Sequence, residues 1–197
     1  MNDLDRALDD IKAMRSQLAR GVEFHGYGPL TVALTAAVAV AAASIQSQFI
    51  PDPAREFIAW LGLWTAVAAI STALVGAEVI FRARRVHGGL ADAMIQEAAL
   101  QLLPAAGAGA MLTLVLWRYA PQSLWMLPGL WQITLSLGVF AACRGLPPLM
   151  VLAAFWYLLT GLVCLALAHS LSPWAMGVPF GLGELLAAGL LAVSARD

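Results

Sequence analysis

The sequence predicts an all-α membrane protein, a polytopic bundle of six transmembrane helices with an N-terminal cytoplasmic amphipathic helix. Of its 197 residues, 61% are hydrophobic and 12% are charged, whereas soluble domains are about 45–50% apolar and about 25% charged. Six apolar runs fill residues 29–193, and each has about the 20 residues that a bilayer core requires. A net charge of −1 without a basic tract excludes nucleic acid as a partner.

The segment 3–20 is predicted to form the amphipathic helix. Its apolar residues recur at spacings of three and four and therefore share one stripe: Leu4, Leu8, Ile11, Met14 and Leu18. This stripe fits two roles. The helix lies on the lipid surface, or it packs against a cytosolic partner or a second copy of this chain through the seven-residue repeat of Leu4, Ile11 and Leu18. Residues 1–28 therefore form a cytoplasmic segment that leads into the first span.

The six spans are predicted, with approximate bounds, at 29–49, 57–81, 98–117, 124–143, 147–168 and 174–193. Pro29 suits the first turn of the first helix. A basic loop at 82–89 and a mixed segment at 90–97 join the second and third spans. Residues 29–193 thus make one transmembrane domain, and residues 194–197 make a cytoplasmic tail. Pro104, Pro128 and Pro179 each remove a backbone donor, so we expect kinks or freed carbonyl groups there.

The distribution of Lys and Arg predicts that both termini lie in the cytoplasm. With that orientation, nine of these residues are inside: Arg6, Lys12, Arg15, Arg20, Arg82, Arg84, Arg85, Arg144 and Arg196. Two are outside, Arg55 and Arg118. Positive charge accumulates in cytoplasmic loops, so this asymmetry favours the assignment. Four tryptophans fall near the predicted outer ends, where an aromatic belt is expected: Trp60, Trp117, Trp125 and Trp174.

Glu184 is the most informative polar residue, because it falls near the middle of the sixth span. A carboxylate at that depth is costly unless it is paired, hydrated or protonated, so its side chain is not expected to face lipid. Two interpretations remain open. Glu184 belongs to a proton- or cation-linked site, or it is a protonated residue that joins two helices through a hydrogen bond.

Further polar residues in the fourth and fifth spans are predicted to share a pocket with Glu184. Gln132 and Ser136 lie one helical turn apart and face the same way. Tyr157 and Thr160 come from the fifth span. The alternative for this group is a set of interhelical hydrogen bonds worth about 1 kcal/mol or less each.

A second polar group is predicted at the cytoplasmic face. It comprises His25, Tyr27, Glu78, His87, Asp92, Glu97 and Gln101. His25 and His87 are the candidate metal ligands, because imidazole and carboxylate groups bind divalent metals and histidine also senses pH. No motif with ligand spacing supports a metal, and no cofactor follows from the sequence. The alternative is ordinary interfacial polarity, with Glu78 paired to Arg82 one turn later.

Four stretches resemble a family of small six-span proteobacterial inner-membrane proteins that has no assigned activity. They are 26–29 (GYGP), 87–94 (HGGLADAM), 124–132 (LWMLPGLWQ) and 172–177 with 179–181 (SPWAMG, PFG). The resemblance covers most of the chain. It implies the six-span topology and a bacterial inner membrane as the location, and it transfers no functional residues.

Three functions remain open, and signatures of enzymes are missing: no nucleophile elbow, phosphate-binding glycine loop or compact His/Asp cluster is present. The first hypothesis is a small transporter or permeation protein with a pocket around Glu184. The second is a sensor or assembly subunit that engages a partner through residues 3–20. The third is a metal- or haem-binding membrane protein that uses His25 and His87.

Overall fold

The chain is an all-α bundle of six membrane helices. A computed structural model describes residues 28–86, 91–143 and 146–194. The predicted amphipathic helix at 3–20 lies outside the described residues. The helices are α1 (Pro29–Phe49), α2 (Phe57–Val86), α3 (Ala91–Tyr119), α4 (Leu127–Ala142), α5 (Val151–Leu167) and α6 (Trp174–Ser194). Each contributes a segment long and apolar enough to cross a membrane, which confirms the predicted fold class.

Helix bounds differ from the prediction on both sides of the basic loop and at two prolines. α3 begins at Ala91, seven residues before the predicted start of the third span. α2 continues past residue 82 to Val86. Arg82 Nε donates a hydrogen bond to Oε1 of Glu78, one turn earlier, over 2.7 Å. Side-chain pairs at this spacing stabilise a helix and therefore favour the additional turn. Short 3₁₀ turns, Pro121–Met126 and Pro148–Met150, precede α4 and α5. The kink expected at Pro128 is absent from α4, since this proline lies in the first turn, where its missing donor is not needed.

The helices pack in sequence order around a ring. Each helix contacts the one before it and the one after it, and α6 packs along α1, which closes the ring. Two apolar clusters fill opposite halves of its interior. The tryptophan cluster includes Trp60, Trp64, Leu127 and Met176. The opposite cluster includes Val32, Ala153, Ala187 and Leu191, with Val75 packed against it.

The tryptophan cluster corrects one expectation about the aromatic belt. Trp60 is 0% exposed and its ring stacks on Trp131, with 5.4 Å between centroids. It lies one turn from buried Trp64 on the inward stripe of α2, so it belongs to the core. Trp117 and Trp174 are each 49% exposed, as residues of a belt should be. Trp64 donates from Nε1 to Gln46 Oε1 over 2.7 Å, which satisfies a buried amide in this cluster.

Glycines bring α4 and α5 into backbone contact. A Cβ atom on Gly161 would lie 2.9 Å from the carbonyl oxygen of Gly129, and a Cβ atom on Gly129 would lie 2.8 Å from that of Gly161. Side chains of any size would separate these backbones, and small residues are how membrane helices approach closely. The contact holds the polar residues of α4 beside Tyr157 on α5.

Candidate functional site

Glu184 lies at the centre of α6. The helix has 21 residues, Trp174–Ser194, and a rise of about 1.5 Å per residue places Glu184 about 15 Å from either end. Its depth is also fixed by packing, since α6 contributes Met176 to the tryptophan cluster and Ala187 to the opposite cluster. Glu184 therefore lies between the two apolar clusters, in a polar layer at mid-depth.

The carboxyl group of Glu184 points into the bundle. The exposed stripe of α6 follows helical spacing and consists of Trp174, Val178, Leu182, Leu185 and Val193, each about half exposed. At 100° per residue, Glu184 lies on the other side of the helix, among the buried positions Gly177, Gly181 and Leu191. Glu184 itself is half-buried. The side chain of Glu184 is thus directed toward the neighbouring helices.

Tyr157 of α5 contacts Glu184 directly. The phenolic hydroxyl donates to Glu184 Oε1 over 3.2 Å, and Tyr157 is 3% exposed. Gly183 makes this approach possible: a Cβ atom there would lie 2.6 Å from both Cζ and the hydroxyl oxygen of Tyr157. The Tyr157 ring also packs at 5.4 Å from that of Phe180, which fixes the direction of the hydroxyl.

Thr35 of α1 is a member of this site that the sequence analysis missed. It is 2% exposed and lies at the depth of Glu184 on the neighbouring helix, since Val40 and Ala36 of the same helix pack against Gly181 of α6. The hydroxyl donates to Val32 O in its own helix over 2.7 Å. The sequence offers one indication of its importance, because Thr35 is the polar residue nearest the middle of the first span. The pairing of α1 with α6, which the sequence does not reveal, is what brings it to Glu184.

Gln132 connects α4 to a carbonyl group that a proline has freed in α6. It is 0% exposed, and its Nε2 donates to Ala175 O over 2.9 Å and to Pro128 O over 3.0 Å. Ala175 would bond to the amide of residue 179 in a regular helix, but Pro179 has no such amide. Gln132 supplies the missing donor. The carbonyl group that Pro179 was expected to free is therefore present at Ala175. Its hydrogen-bond donor is Gln132, which was predicted as a pocket residue.

The other two predicted pocket residues bond to the backbone. Ser136 is 0% exposed and donates to Ala154 O over 2.8 Å, which joins α4 to α5. Thr160 donates to Trp156 O over 2.9 Å within α5. The structure thus joins Glu184 to Tyr157 by a hydrogen bond and places Thr35 at the same depth on the neighbouring helix. It places Gln132 and Ser136 on the inward side of α4 without a hydrogen bond to Glu184 among the described residues.

The inward stripe of α2 is less buried at the depth of Glu184 than at its two ends. This stripe runs along Trp60, Trp64, Val67, Ser71, Val75 and Val79. Trp60, Trp64 and Val79 are buried, but Val67, Ser71 and Val75 are only half-buried. Because Trp60 packs with Met176 and Val75 packs beside Ala187, the segment at Val67 and Ser71 lies level with Glu184. Neighbouring helices therefore cover α2 less at this depth than at its two ends.

The predicted cytoplasmic-face group is only partly within the described residues. Glu78 is half-buried and bonds to Arg82, as expected for interfacial polarity, and its carboxylate contacts Gly28. Gln101 is half-buried in α3. His25, Tyr27 and His87 lie outside the described residues, as do the side chains of Asp92 and Glu97. Within the described ranges, no group of three or more metal-ligating side chains converges, and the metal interpretation stays a prediction.

Comparisons with protein-family models, curated proteins and solved structures found no match for this chain.

Proposed function

We propose that this integral membrane protein is a small ion-linked transporter or permeation protein whose ion-exchanging group is Glu184. The observation that carries the proposal is the position of Glu184: central in α6, directed into the bundle, and still half-buried. Ionisable residues inside transmembrane segments are rare, and those that face a bundle interior commonly mark ion pathways and proton relays.

The surroundings of Glu184 support exchange with an aqueous phase. A purely structural carboxyl group would be sealed on all sides, since a buried polar group gains most when fully bonded in a dry contact. Glu184 instead has a long 3.2 Å bond from Tyr157, and the α2 stripe at its depth is half-buried at Val67 and Ser71. The proposal requires that water reaches the carboxyl group at this depth.

The proline in α6 supports movement near this group. Pro179 is five residues before Glu184, and the carbonyl freed at Ala175 is held by Gln132 from another helix. Broken or kinked helices with backbone groups satisfied by neighbours are typical of the cavities of transporters. Rearrangement of this contact would move the segment that carries Glu184.

Flux through liposomes tests the proposal. The full chain is reconstituted into liposomes that contain a pH indicator or a Na⁺ indicator. An H⁺ or Na⁺ gradient is then imposed across the membrane, while potassium and valinomycin hold the membrane potential constant. We expect the native protein to dissipate one of these gradients several-fold faster than Glu184→Gln. Glu56→Gln, at an exposed loop residue, should behave as the native protein does. Equal flux through native and Glu184→Gln vesicles would contradict the proposal.

We also propose that the protein lies in the inner membrane of a bacterium with both termini in the cytoplasm. The support is the excess of Lys and Arg on one side of the predicted spans, nine against two, together with the resemblance noted above. Fusions of a cytoplasm-active fluorescent reporter and a periplasm-active phosphatase to the C-terminus test this orientation. Fluorescence without phosphatase activity is expected, and the reverse pattern would contradict it.

A further inference from the structure

α1 and α6 pack closely through small residues. A Cβ atom on Gly177 of α6 would lie 2.5 Å from Cβ of Ala43, and a Cβ atom on Gly181 would lie 2.9 Å from Cγ2 of Val40. The buried stripe of α1 is made largely of alanines: Ala36, Ala39, Ala42 and Ala43. Small residues let membrane helices approach closely and interlock. These two helices therefore form one unit, the α1–α6 pair.

α4 and α5 form a second unit of the same kind, the α4–α5 pair. Gly129 and Gly161 bring the two backbones into contact, and Ser136 joins α4 to the α5 backbone. α3 extends this unit, because a Cβ atom on Gly138 of α4 would lie 2.8 Å from Cβ of Ala105. Closely packed backbones leave little room for one helix to move against the other.

The two pairs meet in a different way at the α5–α6 seam, which is lined by Trp156 and Tyr157 of α5 and by Gly183 of α6. A Cβ atom on Gly183 would lie 2.6 Å from the Tyr157 hydroxyl oxygen and 2.9 Å from Cδ1 of Trp156. The ends of long aromatic side chains therefore separate the two backbones at this depth. Side chains change rotamer more readily than packed backbones separate, so this seam opens more easily than the contacts within either pair.

Hydrogen bonds from side chains hold the α5–α6 seam and its surroundings together. Three of them cross from the α4–α5 pair to residues 175–184 of α6: Gln132 Nε2 to Ala175 O over 2.9 Å, Trp156 Nε1 to Pro179 O over 2.9 Å, and the Tyr157 hydroxyl to Glu184 Oε1 over 3.2 Å. The segment of α6 that carries Glu184 is thus bonded to the α4–α5 pair by donors that can turn away.

We propose that the bundle opens at the α5–α6 seam, that the α1–α6 pair moves as one body against the α4–α5 pair, and that Trp156 and Tyr157 are positioning residues that hold the seam together. The use of this movement in ion exchange rests on the proposed function, whereas the movement itself does not. Transporters commonly expose a central site by rocking one group of helices against another. Across the ring from this seam, α2 is only half-buried at Val67 and Ser71, which leaves that side less constrained as well.

Distances between pairs of nitroxide labels test this movement without measuring flux. The full chain is studied in lipid nanodiscs, with Cys143 and Cys164 replaced by Ala. One pair of labels, at Leu152 of α5 and Val193 of α6, spans the seam, and the control pair, at Leu30 of α1 and Val193, lies within the α1–α6 pair. All three residues are exposed and neighbour the cluster of Val32, Ala153 and Leu191. The shared label at 193 makes its own motion common to both measurements.

Removal of the donors at the seam should separate the labels that span it. Tyr157→Phe keeps the ring and removes the hydroxyl, and Trp156→Phe removes the indole donor. Each should increase the ratio of longer to shorter 152–193 distances about two- to tenfold, as expected for the loss of one hydrogen bond. The 30–193 distances should stay unchanged. Tyr119→Phe and Trp117→Phe, at exposed residues, are the matched controls and should alter neither pair.

Unchanged 152–193 distances in folded Tyr157→Phe and Trp156→Phe, or equal changes in both pairs of labels, would overturn the inference. Folding is checked by size-exclusion chromatography. A bis-maleimide that joins Cys at 152 to Cys at 193 should also lower Glu184-dependent flux several-fold, whereas the same link between 30 and 193 should not. Movement at the seam in a protein without flux contradicts the transport function alone. Full flux after the 152–193 link contradicts the seam alone.

Discussion

The hydroxyl of Tyr157 donates a hydrogen bond to Oε1 of Glu184 over 3.2 Å, from α5 to the centre of α6. The two helices meet at this point because Gly183 leaves room for the phenol. On the other side of α6, α1 packs along the same helix and places buried Thr35 at the depth of this carboxyl group. The carboxyl group thus lies near the seams of α6 with both of its neighbours.

Gly183→Ala is expected to displace the Tyr157 hydroxyl from Glu184. The added methyl group would lie 2.6 Å from the hydroxyl oxygen, closer than van der Waals contact permits, and overpacking of this kind costs about 1–3 kcal/mol. Loss of Glu184-dependent flux should follow. Gly189→Ala is the matched control in the same helix, since nothing lies within 4 Å of its Cβ position. If both variants behave alike, the contact with Tyr157 has no role in the site.

Gln132→Leu should destabilise the bundle near Pro179 of α6. It removes the hydrogen-bond donor to Ala175 O and leaves that carbonyl without a partner away from water. An unsatisfied group of this kind lowers the free energy of unfolding by about 1–3 kcal/mol. We expect a lower midpoint of thermal unfolding in detergent. Gln48→Leu, at an exposed position of α1, serves as the control. An unchanged midpoint in Gln132→Leu would show that Ala175 O finds another donor and that Gln132 does not stabilise α6 at this point.

Gly161→Ala should separate α4 from α5. Its methyl group would meet the carbonyl oxygen of Gly129 at 2.9 Å, and because this neighbour is backbone, it cannot rotate away. A destabilisation of about 1–3 kcal/mol is expected. Gly107→Ala is the control, since its Cβ position is open, and alanine there should be neutral or slightly favourable. Equal stability of the two variants, measured by chemical unfolding in mixed micelles, would argue against the close approach of α4 and α5.

Much of the fold was predictable because lipid imposes simple rules. The need for about 20 apolar residues per span located all six helices, and the bounds of α1, 29–49, were predicted correctly. The extension of α2 was not, since Arg82 stabilises a further turn only through its bond to Glu78. Trp60 was misassigned to the interface, because proximity to a span end does not reveal which side of the helix a residue occupies.

The site was predictable only in its central residue. Glu184 stood out because any carboxyl group inside an apolar run requires an explanation. Tyr157 was included correctly as a neighbour. Thr35 was missed because the order of spans does not reveal that α6 packs along α1. The partner of Gln132 was hidden for a similar reason, since the carbonyl that Pro179 frees acquires a donor from a helix distant in sequence.

The central claim is that residue 184 points into hydrated space within the bundle and away from lipid. Cysteine accessibility measures this directly, in a background where Cys143 and Cys164 are replaced by Ala. Glu184→Cys is compared with Leu182→Cys, which lies on the exposed stripe of α6. A charged, water-soluble thiol reagent should modify Cys at 184 at least about tenfold faster than Cys at 182, because it attacks the thiolate, which forms where water reaches. Faster modification at 182, or no modification at 184 in a folded protein, would contradict the account.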